Sequence, residues 1–186
     1  YHLAALHDDI TIGQRLGVPA GRLVVSPGSE ALIDYVFRAV LAPGDQILLS
    51  SPTFPAYDIF ARCAEARIVD VPRLANFDLA VPAVAAAAAK GPKLLILCTP
   101  NNPTGNALSK EAVETVLAAT PKTTLVFVDE AYREYFETYD MLALLEAWGG
   151  PWIAARTFSK AYGLAGMRVG YGIASWQGDV KIKREW

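Results

Sequence analysis

Short β-rich runs alternating with longer helical ones constrain this chain more than any other feature of it. Candidate strands lie at 22–25, 46–49, 65–71, 93–98, 124–128, 153–157 and 168–173. Candidate helices lie at 3–16, 29–41, 54–64, 81–89, 109–119 and 141–148. Two of the strand runs, Leu94-Leu95-Ile96-Leu97 and Leu125-Val126-Phe127-Val128, are apolar at every position. A strand of that kind is covered on both faces. Helices alternating with such strands predict an α/β domain, a three-layer sandwich around a mostly parallel sheet. Local punctuation agrees: Ser109 is placed to cap a helix at Ala112, and Pro43-Gly44-Asp45 is a helix-stop turn. No repeat or low-complexity linker interrupts the pattern, and the alanine run at 85–89 reads as a close-packed helix.

Composition narrows the function classes. The 186 residues suffice for one domain with its own core, and at 53% hydrophobic and 19% charged they read as globular. A formal net charge of -2 gives no reason to expect nucleic acid or an anionic membrane as partner. No signal peptide is visible, and the longest nearly continuous apolar stretch, 79–89, is too short to span a bilayer. Cys63 and Cys98 make no disulfide framework. Cys98 ends an apolar run, so a buried thiol in a reducing cytoplasm is expected. His2 and His7 have no cysteine near them, and no metal site is expected.

In an open α/β sheet, ligands bind beyond the carboxyl ends of the strands. Here those ends carry Ser26-Pro27-Gly28-Ser29-Glu30, Pro52-Thr53-Phe54, Thr99-Pro100-Asn101-Asn102-Pro103-Thr104-Gly105, Asp129-Glu130-Ala131-Tyr132, and the run from Thr157 to Arg168. Gly28, Ser29 and Glu30 open a helix directly after a strand, where free N–H groups and the helix dipole suit a phosphate. Arg168 would add a bidentate cation and Thr157 a hydroxyl. Asp129 can pair with a ring nitrogen, and Tyr132 lies three residues on. Asn102 sits among prolines that fix its backbone, and Phe54 can cover a flat ring. Each also has a plainer reading: Ser29 as a helix cap, Arg168 as a surface arginine, Asp129 as a turn cap, Asn102 as a turn residue, and Phe54 as core.

Lys160 follows an apolar strand among small residues, a poor setting for a solvated charge. An amine taken out of water can form a Schiff base with a carbonyl cofactor. A lysine snorkelling at a strand end is the alternative. Taken together, these strand-end groups describe a site for pyridoxal 5′-phosphate (PLP), the electron sink that a protein orients and tunes.

At this point the chain resembles the fold-type I PLP-dependent aminotransferases of class I/II, and within them the histidinol-phosphate aminotransferase-like group. The resemblance rests on Ser26–Ala31, Pro43–Tyr57, Thr99–Gly105, Asp129–Tyr132 and Thr157–Gly172, in the family's order and approximate spacing. Asn-Asn-Pro-Thr-Gly, then Asp-Glu-Ala-Tyr, then Ser-Lys with a later Arg is a specific combination. It implies the PLP-binding large domain of that fold. By position, Lys160 forms the Schiff base and Asp129 pairs with the pyridine nitrogen. Asn102 and Tyr132 contact the phenolic oxygen, and Phe54 stacks on the ring. Gly28, Ser29, Glu30, Thr157 and Arg168 hold the phosphate. Lys160, Asp129 and Tyr132 form the catalytic set. The implied reaction moves an amino group between an α-amino acid or amino-alcohol phosphate and a 2-oxo acid, in a cytoplasmic homodimer.

The match has edges. Residues 1–175 read as a partial large domain, and 176–186 do not resemble the family's continuation. The family's small C-terminal domain, which supplies an arginine for the substrate carboxylate, and its N-terminal arm are expected to be missing. The chain therefore reads as a central fragment with apolar surface left uncovered, and the activity of the stretch alone stays open. A PLP-dependent lyase or decarboxylase of the same fold would use the same residues. A non-catalytic PLP-binding sensor would require a DNA-binding module, and no basic helix-turn-helix is present. A nicotinamide dinucleotide domain is disfavoured, since no Gly-x-Gly-x-x-Gly follows the first strand.

Overall fold

A computed structural model describes residues 11–136 and 138–175. His2, His7 and the 176–186 tail lie outside the described residues, as does much of the expected helix 3–16, of which 11–16 are helical. All seven expected strands form: β1 (Leu23–Ser26), β2 (Gln46–Leu49), β3 (Arg67–Asp70), β4 (Leu94–Cys98), β5 (Leu125–Asp129), β6 (Trp152–Thr157) and β7 (Gly170–Ala174). The longer helices are α1 (Ser29–Val40), α2 (Ala56–Cys63), α3 (Val81–Ala88), α4 (Lys110–Ala119) and α5 (Met141–Trp148). Their ends follow local chemistry. Ser109 Oγ accepts the Ala112 N–H at 3.2 Å, and Asp140 caps α5 through the Leu142 and Ala143 N–H groups. Glycine in the left-handed region, Gly149 at φ 71°, terminates α5.

The strands form one sheet in the order β1-β7-β6-β5-β4-β2-β3. The five strands from β3 to β6 are parallel, while β7 runs antiparallel to both β6 and β1. β4 and β5 are buried at every position, as their unbroken apolar runs predicted.

Alternate side chains along each strand go to opposite faces. Leu95, Leu97, Val126, Val128, Trp152 and Ala154 pack with Val84, Val113, Val116 and Leu145 on one side. Leu94, Ile96, Leu125, Phe127, Ile153 and Ala155 pack with Leu32, Ile33, Phe37, Tyr57 and Ala61 on the other. The three-layer arrangement therefore follows from sequence. Some expected boundaries shift. The helix expected from Phe54 begins at Ala56, because Pro55 precedes it with no capping side chain. The strand expected from Arg168 begins at Gly170, because Arg168 itself sits at φ 52°. Ser29 lies inside its helix, and Gly28, at φ 88°, takes the cap position expected of Ser29.

No helix among the described residues is long and apolar enough to cross a membrane.

Candidate functional site

The core layer between the sheet and α1–α2 opens, at the carboxyl ends of the strands, into a cleft of about 570 Å³ including its mouth. Gly28, Ser29, Glu30, Phe54, Asn102, Asp129, Tyr132, Thr157, Lys160 and Arg168 all line it. Every residue singled out from the sequence is thus brought to one place, from five separate strand ends.

Strand parity explains the cleft floor. Leu94, Ile96 and then Cys98 occupy alternate positions on β4; Leu125, Phe127 and Asp129 do so on β5; Ile153, Ala155 and Thr157 do so on β6. The cleft floor continues the rows that build the α1–α2 core. Cys98 and Asp129 are register partners across β4–β5.

Asp129 is 4% exposed. Its Oδ1 accepts the Ala131 N–H at 3.0 Å, so it caps the following turn, and its Oδ2 accepts the Tyr57 hydroxyl at 2.6 Å. Burial pushes the carboxyl above the usual carboxylate range, while those two hydrogen bonds pull it back. Tyr57 is wholly buried, and burial first, then the Asp129 charge, raises its own pKa well above the ordinary tyrosine value. Tyr57 therefore remains the donor. Burial pushes the neighbouring Cys98 thiol to about 12, so it lines the floor as a neutral group.

The opposite wall is backbone. Gly28 sits at φ 88°, where glycine is favoured, and a Cβ there would stand 2.6 Å from Arg168 Nη2, so the guanidinium lies directly against its backbone. Arg168 Nη2 donates to Pro27 O at 3.3 Å and Nη1 to Ala165 O at 3.2 Å. Gly170 lies equally close under α1, where a Cβ would come within 2.4 Å of the Ser29 nitrogen. The result is a helix N-terminus, an arginine and the buried Thr157 on one cleft, a donor set suited to a phosphate dianion.

Phe54 lies half-buried at the cleft, edge-on to Tyr57 with ring centroids 5.6 Å apart. Asn102 lines the cleft, whereas Asn101 is the structural asparagine. Asn101 is buried, accepts from Thr53, and donates to Pro52 O and Thr104. Lys160 departs from the sequence reading. It is exposed, not wedged out of water, because the whole of 160–168 lies on the surface. Its Nζ stands 5.2 Å from the centre of the Tyr132 ring, at the rim of the cleft.

Sequence reasoning missed Tyr57, Cys98 and Gly170. The period-2 row ending in Cys98 was a usable signal for that residue. Tyr57, three residues past Phe54 in a helix, looks like an ordinary core aromatic.

The strand order and the placement of this cleft define the α/β domain of the aminotransferase fold. The model for aminotransferase class I and II matches residues 3–180, and the chain belongs to that family. Histidinol-phosphate aminotransferase 2 of Caulobacter vibrioides is 74% identical over 172 residues, 91% of this chain and 46% of that protein. An aromatic amino acid aminotransferase of Rhodococcus opacus is 41% identical over 164 residues, 88% of this chain and 46% of its own length. The crystal structure of histidinol-phosphate aminotransferase from Sinorhizobium meliloti in complex with pyridoxal-5′-phosphate matches with a TM-score of 0.82. It is 30% identical, over 91% of this chain and 46% of that one. The chain spans about half the length of the curated relatives it matches.

Proposed function

We propose that the cleft holds pyridoxal 5′-phosphate, and that the chain serves an aminotransferase acting between an α-amino acid or amino-alcohol phosphate and a 2-oxo acid. The observation that carries this reading is the meeting of Asp129, Lys160 and the Gly28–Arg168 anion cup in one cleft. The fit is physical. The Arg168 guanidinium lies against the Gly28 backbone at the start of α1, and a buried carboxylate faces the same space.

When bound, the cofactor supplies a sink for negative charge at a substrate α-carbon. The N–H groups at the start of α1, with Ser29, Glu30, Thr157 and Arg168, hold the phosphate. Asp129 accepts the ring N–H, its two oxygens held by Tyr57 and Ala131. Asn102 and Tyr132 contact the phenolic oxygen, and Phe54 covers the ring face. Lys160, on the rim beside Tyr132, takes the α-proton and returns it.

Residues 1–175 then form part of a cofactor-holding domain, working in the cytoplasm as one of two paired copies. The identity with the Caulobacter protein supports a phosphorylated amino donor of the histidinol-phosphate type.

Titration of the purified chain with PLP is expected to produce a visible absorption band that Lys160→Ala removes. A wild-type chain with no such band overturns the reading. Histidinol phosphate is then the first amino donor to test, by loss of the band in a single turnover.

A further inference from the structure

Behind the cleft floor lies a buried ion pair that none of the roles above uses. Arg156 Nε donates to Glu130 Oε2 at 2.8 Å, and the two residues are 2% and 5% exposed. Arg133 Nε stands 3.9 Å from the other carboxylate oxygen. The Glu130 N–H donates to Ala155 O at 2.9 Å, so residue 130 is tied to β6 by both main chain and side chain. On its far side Arg156 pairs in register with Tyr171 of β7, whose ring lies 5.4 Å from that of Phe158. Burial opposes the charge on Arg156, and Glu130 more than restores it.

The placement is specific. Asp129 and Glu130 are consecutive, as are Arg156 and Thr157. Asp129 and Thr157 line the cleft, while Glu130 and Arg156 do not. The ion pair therefore joins the ends of β5 and β6 directly behind two cleft residues, and Lys160 follows one turn of chain later. Stability does not account for it, because apolar side chains of similar volume in place of a buried ion pair are often neutral or stabilising. What the pair offers is direction, since the Nε–H of a planar guanidinium donates along a charge-assisted hydrogen bond at 2.8 Å.

We propose that Glu130 and Arg156 are positioning residues: their ion pair locks the β5 and β6 ends together and so sets the placement of Asp129 relative to Lys160. This rests on the reading that the cleft holds PLP. The lock acts through the backbone and touches neither cofactor nor substrate.

The test compares the wild-type chain with Glu130→Met/Arg156→Met, which removes both members of the buried pair together, and with Arg156→Lys, which keeps the charge but not the planar guanidinium. Three quantities are measured: the thermal midpoint without PLP, the affinity for PLP, and the visible circular dichroism of bound PLP. The double variant is expected to keep or raise the midpoint, lose about tenfold in affinity, the lower end of what loss of the residues behind metal ligands costs a metal site, and change its dichroic band. Arg156→Lys is expected to show the same loss of affinity and the same altered band. Wild-type affinity and dichroism in the double variant overturn the proposal. So does full retention of both by Arg156→Lys, which would make charge sufficient without geometry, and that variant decides the matter if the double variant does not fold. If the wild-type chain binds no PLP, the underlying reading falls and this proposal with it. If it binds and the variants bind equally well, this proposal alone falls.

Discussion

Asp129 shows how a single residue can serve the site at the expense of the fold. Burial raises its pKa above the ordinary value of 3.8, against the pull of Tyr57, Ala131 and the charge of Lys160. A carboxyl shifted this way supports the fold fully below its unfolded pKa and loses that contribution as pH rises through the folded value. Asp129→Asn is therefore expected to raise the thermal midpoint of the cofactor-free chain near neutral pH. The gain should vanish on acidification below the ordinary carboxylate range, where Asp129 is itself neutral, and PLP affinity should fall throughout. A midpoint lowered at neutral pH would contradict this account. Tyr57→Phe removes the 2.6 Å hydrogen bond to Oδ2. It is expected to cost about 1.5–3 kcal/mol in urea unfolding at neutral pH, the range for hydrogen bonds to charged groups. It should also move the acid limit of PLP binding to higher pH, because Asp129 loses a donor that favours its ionised form. The sequence showed Asp129 and not Tyr57 for a physical reason. A carboxylate after four apolar residues stands out, whereas a hydroxyl on a core aromatic announces itself only once the helix is placed.

Between elements, α1 and β7 meet through two glycines. Gly28→Ala would force a side chain into φ 88° and against Arg168. Strain of that kind costs about 1–3 kcal/mol, and the expected readout is weaker binding of PLP as Arg168 is displaced. Gly170→Ala would push a methyl to 2.4 Å from the Ser29 nitrogen and 2.6 Å from the Gly28 carbonyl carbon, both backbone. β7 must then move away from α1, at about 1–3 kcal/mol of stability, measurable by chemical denaturation. Helix and strand existence was legible along most of the described chain, because unbroken apolar runs mark 94–98 and 125–128 and a period-3.6 pattern marks 110–119. Ends were less so. Pro55, Gly28 and Arg168 set boundaries by backbone conformation, which hydrophobic periodicity does not encode. Lys160 was misjudged for a related reason: small neighbours suggested burial, but small residues also suit a surface turn, and Ala165–Met167 is one.

Across the whole molecule, the layered core follows from alternation on β4, β5 and β6. Phe127, wholly buried at the centre of that sheet, belongs to the layer that opens into the cleft. Phe127→Ala is expected to cost about 3–5 kcal/mol, and a loss under 1 kcal/mol would mean that the layer collapses around the gap. The sequence indicated a mostly parallel sheet without saying which strand reverses. The clue was present: the β6–β7 connection contains only a short 3₁₀ turn, and a parallel return ordinarily needs a crossover helix. The order β1-β7-β6 has a further consequence for how the molecule comes into being. Among the described strands, β1 comes first in sequence, and the strand it pairs with, β7, comes last. Arg168 reaches the Pro27 carbonyl across 141 positions of sequence. Long-range pairing of this sort is slow and leaves strands exposed while they wait. On a translating ribosome, β1 must wait for its β7 partner until residue 174 has emerged. Among the described elements the anion cup is thus completed late, and a nascent chain that captures PLP is one whose described strands have already paired.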